Sequence, residues 1–124
     1  MAWEFSNERP IYTQLIEQIS IRIIGGWLLP GERLPSVRDL AEQAQVNPNT
    51  MQRALAELEN LGLLRSERTS GRFITEDAAV IERLKQQLAI TQIKSFFHRM
   101  EELGIDHAQA LVMANDYQQE ENKR

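Results

Sequence analysis

The run Leu34-Pro35-Ser36-Val37-Arg38-Asp39-Leu40-Ala41, followed by Val46-Asn47-Pro48-Asn49-Thr50-Met51-Gln52-Arg53-Ala54-Leu55, holds two helix starts close together. Ser36 is a good N-cap, and Asp39 three residues on makes an approximate capping box. Val37, Leu40, Ala41 and Ala44 then give one buried face. Gln45-Val46 is a tight turn. Asn47 caps the next helix, and Pro48 takes its first position, where the fixed φ suits a helix and the missing N–H costs nothing. Met51, Ala54, Leu55, Leu58 and Leu61 follow as a core stripe, ended by Gly62. Two short helices joined by a tight turn, the second with an exposed polar start, describe a helix-turn-helix. In that unit the second helix enters the DNA major groove, with its first turn against the base edges.

The flanks extend the pattern. Residues 2–9 read as extended, with Trp3 and Phe5 alternating with polar neighbours. A helix is expected from about Pro10, with Ile11, Leu15, Ile16, Ile19, Ile23 and Ile24 as its apolar stripe and Gly25-Gly26 as its end. Leu28, Leu29, Pro30 and Gly31 form a turn. On the other side, Leu63 to Glu67 and Arg72 to Thr75 read as strands around Arg68-Thr69-Ser70-Gly71. A hairpin directly after a recognition helix is the wing of a winged helix. From Asp77 to about Leu103 the pattern is helical again. Gly104 breaks it, a last helix runs from about Asp106 to Gln119, and the tail from Glu120 to Arg124 is expected to fray. The fold expected is mainly α with a small β-hairpin wing: a winged helix-turn-helix over 1–76, then a two-helix dimerisation module over 77–124.

Composition narrows the function classes. With 124 residues and 42% apolar residues, the chain has room for one domain, or a small domain plus an appended module, around a small core. No cysteine is present, so disulfides and Cys-ligated zinc are excluded and a reducing compartment fits. There is no long apolar run for a membrane span and no basic-then-apolar start of a secretion signal, so a cytoplasmic protein is expected. The net charge of −4 is unevenly spread: residues 1–75 hold eight Arg against nine acids, residues 76–124 six Lys or Arg against nine. Arg38, Arg53, Arg65, Arg68 and Arg72 can share one face while the acids sit elsewhere, and a local patch of that kind suffices for phosphate contacts. There is no Gly-rich phosphate loop, nucleophile elbow or HExxH, which argues against an enzyme. His98 and His107 are separated by the Gly104 break, so neither a metal nor another cofactor is expected.

Pro10 to Ile74 resembles the GntR family of bacterial transcription regulators. The resemblance rests on Pro10-Ile11-Tyr12-Thr13-Gln14-Leu15, Pro30-Gly31-Glu32-Arg33-Leu34-Pro35-Ser36-Val37-Arg38-Asp39-Leu40-Ala41, Leu58-Glu59-Asn60-Leu61-Gly62-Leu63-Leu64 and Gly71-Arg72-Phe73-Ile74, in the family's order. The C-terminal part is short, and Asn47-Pro48-Asn49-Thr50 stands where the family usually has Ser-Arg or Thr-Arg after the turn valine. Both features are similar to the YtrA-type branch. The resemblance implies a dimer made by two tail helices and repression of a neighbouring operon, often one encoding an ABC transporter.

The chemistry expected is double-stranded DNA reading. Asn47, Asn49, Thr50, Gln52 and Arg53 lie in the exposed first turns of the third helix, where Asn and Gln suit adenine and Arg suits guanine. With Pro48 in place of the family's base-reading Arg, adenine contacts are expected to matter more than usual. By the resemblance, Arg38 contacts DNA from the second helix. Ser36 offers its hydroxyl and nearby amides to a phosphate. Arg65, Arg68, Ser70 and Arg72 bring the wing to the minor groove or backbone, and Gly71 permits close approach.

A homodimer reading a palindromic operator with half-sites about 10 base pairs apart is expected. Ile81, Leu84, Leu88, Ile93, Phe96, Phe97, Met100, Leu111 and Val112 are the interface expected; the short tail leaves little space for a pocket, so the effector is a small molecule at the dimer junction, another protein, or none. Trp3, Phe5 and Trp27 read as packing residues, with an aromatic ligand cage at that junction as the other reading. The competing function is a winged helix used for protein–protein contact without duplex readout.

Overall fold

The computed structural model describes residues 2–123. Arg124, the last residue of the tail expected to fray, lies outside them. The chain divides into two compact units, residues 1–85 and 86–124.

The first unit is a winged helix. Its helices are α1 (Ile11–Ile24), α2 (Val37–Ala44) and α3 (Pro48–Asn60), followed by β1 (Leu64–Glu67) and β2 (Gly71–Ile74). Pro10 sits at the N-cap of α1, one position before the first helical turn where the sequence pattern placed it. The other two caps form as expected: the Ser36 hydroxyl accepts from the Asp39 N–H at 3.1 Å, and the Asn47 carboxamide accepts from the Asn49 N–H at 2.7 Å. The turn between α2 and α3 is made by Gln45 in the left-handed region, at φ 56°.

Leu15, Met51, Leu55, Leu58, Leu63 and Ile74 are fully buried and hold α1, α3 and the hairpin together. Leu61, expected in the α3 stripe, is instead 46% exposed. It lies at the edge of the apolar arc in the last, half-formed turn, where it caps the helix. Gly62 follows at φ 83°, letting the Leu63 N–H reach back to the Leu58 carbonyl at 3.0 Å and turn the chain into β1.

The strands pair antiparallel, with Leu64 opposite Ile74 and Ser66 opposite Arg72. The segment after the α1 turn, read from sequence only as a turn, also docks on β2. Gly31 N–H donates to the Ile74 carbonyl, Ile74 N–H to Glu32, and Leu34 N–H to Arg72, each at 2.9 Å. The wing is thus held along both edges of β2.

The N-terminal arm is fixed by a device that apolar periodicity does not reveal. Gln14, Gln18 and Arg22 recur every four residues along α1. The Gln14 amide donates to the Ser6 carbonyl at 2.8 Å and accepts from the Ser6 N–H at 2.7 Å. Gln18 does the same with Glu4, and Arg22 donates to the Ala2 carbonyl. Four helical residues rise about 6 Å and two extended residues about 6.6 Å, so the side chains match the arm's backbone repeat. The arm's alternating Trp3 and Phe5 stack on each other and pack half-buried on the core. Arg22 lies 3.6 Å from the Trp3 ring centre, and its burial pulls its pKa below the ordinary guanidinium value.

Helix α4 (Ala78–Glu102) begins in the first unit. That unit runs past residue 76, the boundary expected from sequence, because Val80, Ile81 and Leu84 pack on the winged-helix core. Ile81 and Leu84, expected in a dimer interface, are therefore half-buried within the first unit.

The second unit contains the rest of α4 and α5 (His107–Asn122), with Asp106 capping α5 through the Gln109 N–H at 2.8 Å. The helix continues through Glu120, Glu121 and Asn122, which the sequence pattern assigned to a frayed tail. Ala110 is the buried hydrophobic residue of this unit among the described residues.

Candidate nucleic-acid interface

The first turns of α3 are open to solvent. Asn47, Asn49, Gln52 and Arg53 are exposed and Thr50 is half-buried. Their donors and acceptors are not equally available. The Asn47 carbonyl oxygen serves as the cap of α3, which leaves its NH2 group to face outward. Asn49 has no side-chain hydrogen bond among the described residues, so both atoms of its amide are open. Arg53 lies over the Tyr12 ring of α1, 4.7 Å from its centre, a contact that orients the guanidinium without using its N–H donors.

Helix α2 contributes Ser36 and Arg38. The Ser36 hydroxyl oxygen is occupied as a cap acceptor, while its O–H can still donate. Arg38 is exposed in the first turn of α2 and has no ion pair among the described residues. A cation there faces the positive end of the helix dipole, which is slightly unfavourable for the isolated fold.

The wing presents a mixed set. Arg68, in the turn, is exposed and has no ion pair among the described residues. Ser70 is half-buried and its N–H donates to the Glu67 carbonyl at 3.3 Å. Arg65 pairs with Glu67 and lies 4.9 Å from the Phe73 ring centre. Gly71 has φ 107°, and a Cβ there would stand 3.3 Å from Arg33 Nε. Arg33 therefore lies against the wing as a further exposed cation. It precedes the helix-turn-helix and carries no local signal of this role; its bridge to Phe73 brings it there.

Arg72, expected at DNA, is bound internally. Its Nε donates to Glu59 Oε1 at 2.5 Å and its Nη1 to Gln52 Oε1 at 3.4 Å. Glu59 also accepts from the Ser66 hydroxyl at 2.5 Å. These hydrogen bonds, Ser66 first, hold the Glu59 carboxyl below its ordinary pKa against the opposing effect of burial. A carboxylate with a depressed pKa stabilises the fold above its unfolded value, about 4.3, and loses that contribution as pH falls through the folded value. Glu59→Gln is expected to cost about 0.5–1 kcal/mol near neutral pH. In urea melts the gap from wild type should close as pH falls towards 3; a gap that persists there would rule the linkage out.

The long helices carry the second surface. Ile93, Leu111 and Val112 are more than half exposed, at 52%, 58% and 59%, and Phe96 is 37% exposed. Leu88, Phe97 and Met100 are half-buried, with Phe97 stacked on His107 at 4.3 Å between ring centres. Ile90, Leu103, Met113 and Tyr117, which the sequence reading left out of the interface, are also exposed. No helix is long and apolar enough to cross a membrane among the described residues, and no group of three metal-ligating side chains is found there.

Comparison with known proteins places this geometry. The sequence profile described as "Bacterial regulatory proteins, gntR family" matches residues 11–74. The chain is 42% identical over 108 residues to the HTH-type transcriptional regulator YhcF of Bacillus subtilis (strain 168), covering 87% of this chain and 89% of YhcF. It is 44% identical over 72 residues to the HTH-type transcriptional repressor YtrA of the same organism, covering 58% of this chain and 55% of YtrA. Among solved structures, a GntR family transcriptional regulator from Listeria monocytogenes superposes with TM-score 0.83 at 36% identity, over 90% of this chain and 98% of that one. The AraR DNA-binding domain in complex with operator ORX1 superposes with TM-score 0.54 at 30% identity, over 60% of this chain and 99% of that one.

Proposed function

Since the chain belongs to the GntR family of bacterial regulatory proteins, we propose that it is a homodimeric repressor that binds a palindromic DNA operator. The observation that carries the DNA reading is the open first turn of α3, together with the exposed cations Arg38 on α2 and Arg33 and Arg68 at the wing. It supplies amide groups for base edges and cations for phosphates. The solved AraR domain, bound to its operator, supports the same use of the fold.

In this reading Asn49 reads adenine with both amide atoms, while Asn47, Thr50, Gln52 and Arg53 complete the base contacts. Ser36, Arg38, Arg33, Arg65, Arg68 and the Ser70-Gly71 turn hold the backbone. The dimer rests on the second unit. A 39-residue helical pair with Ala110 as its buried hydrophobic cannot stand in water alone, so Leu88, Ile93, Phe96, Phe97, Met100, Leu111 and Val112 meet a second copy. An ABC-transporter operon as the regulated target follows from the resemblance to the YtrA-type branch, and the dimer junction is the place for a small-molecule effector if one is used.

Salt dependence tests the phosphate-anchored model. The logarithm of the association constant should fall with the logarithm of salt concentration by about 0.9 per phosphate contact, with several contacts per subunit. Fluorescence anisotropy with a duplex bound by the protein reads this slope directly. A flat response would contradict the model and favour a protein partner for the winged helix.

A further inference from the structure

Gln52 and Glu59 stand two helical turns apart on the same face of α3, and Arg72 of the wing spans them. Ser66 and Arg72 are direct cross-strand partners, and both donate to the same Glu59 oxygen at 2.5 Å. The Arg72 guanidinium is anchored there and reaches Gln52 with Nη1 at 3.4 Å. A guanidinium has no acceptor, so the amide atom facing it must be the carbonyl oxygen. The Gln52 NH2 group is then the part left to face outward from an exposed side chain.

We propose that Arg72 is a positioning residue that sets base preference at the operator position read by Gln52. The proposal rests on the DNA-reading function above. Bidentate reading of adenine needs both amide atoms: the oxygen to accept from N6 and the NH2 to donate to N7. With one of its two lone pairs engaged by Arg72, the oxygen is turned toward the wing, and the amide presents its NH2 donors to the groove. Guanine presents two acceptors, O6 and N7, and thymine presents O4. Gln52 therefore selects guanine or thymine, although a free glutamine at this point of a recognition helix would favour adenine. The same anchoring ties Nε and Nη1 of Arg72 to α3 and makes Glu59 their support.

The test is selection of bound duplexes from a random DNA pool by the full chain, run in parallel on wild type, Gln52→Ala, Arg72→Met and Glu59→Gln. Gln52→Ala identifies the column read by Gln52 as the one that loses its preference. In wild type that column should hold guanine or thymine. In Arg72→Met the ratio of adenine to guanine there should rise roughly tenfold, as a freed amide regains its second hydrogen bond. Glu59→Gln should shift the column the same way by a smaller factor, and it decides the matter if circular dichroism shows Arg72→Met unfolded. A stability loss alone would lower total binding and leave the column unchanged. Adenine at that column in wild type, no column lost in Gln52→Ala, or no shift in the folded variants overturns the proposal while leaving DNA binding intact. Failure of wild type to enrich any duplex overturns the DNA reading, and the proposal with it.

Discussion

Arg38→Ala is expected to weaken operator binding about 30- to 150-fold while leaving the fold and its melting temperature essentially unchanged. A hydrogen-bonded contact to a charged phosphate is worth about 1–1.5 kcal/mol net at an exposed site, and two-fold symmetry counts it twice. The structure makes this variant unusually clean. Arg38 is exposed and has no ion pair among the described residues, so no internal contact is lost with it. It also sits in the first turn of α2, where its charge opposes the helix dipole, so alanine there is neutral or slightly stabilising for the isolated protein. A cation that no ion pair holds among the described residues is available to an external anion. Anisotropy titration of wild type and variant against one duplex reads the affinity, and calorimetry reads the stability. Equal affinities would remove Arg38 from the interface.

Leu58→Ala is expected to cost about 3 kcal/mol and to lower the melting temperature by roughly 10–15 °C. Leu58 is fully buried at the centre of the core and lies near the C-terminal end of the α3 stripe. Its carbonyl also accepts the Leu63 N–H at the turn into the wing. Truncation leaves a cavity that surrounding helices cannot close without moving α3, so the recognition surface loosens along with the core. Calorimetry of the first unfolding transition measures the loss. A change below about 1 kcal/mol would mean that α3 is held by contacts other than those described here.

The winged helix was readable because its signals are local. Ser36 and Asn47 satisfy amides two or three residues away, Gly62 allows one turn, and Met51, Ala54, Leu55 and Leu58 repeat at the helical period. Tertiary arrangements were not readable in this way. Gln14, Gln18 and Arg22 look like the solvent face of α1, and only the docked arm shows that Gln14 and Arg22 are buried against its backbone. Ile81 and Leu84 share a period with Leu88, yet the winged-helix core covers the first two. Arg72 and Glu59 are 13 positions apart in sequence, and their pairing depends on hairpin register, which the sequence pattern left open. The candidate base readers stood out as residue types. Which of their atoms remain available followed from the structure alone.

In the function proposed above, two copies of this chain read duplex DNA through α3 and the wing. Selection of bound duplexes from a random pool by the purified wild-type protein tests it most directly. Enrichment of an inverted repeat whose half-sites lie about 10 base pairs apart, or a multiple of that, is expected. A folded protein that enriches no sequence, or only unpaired single sites, would contradict it.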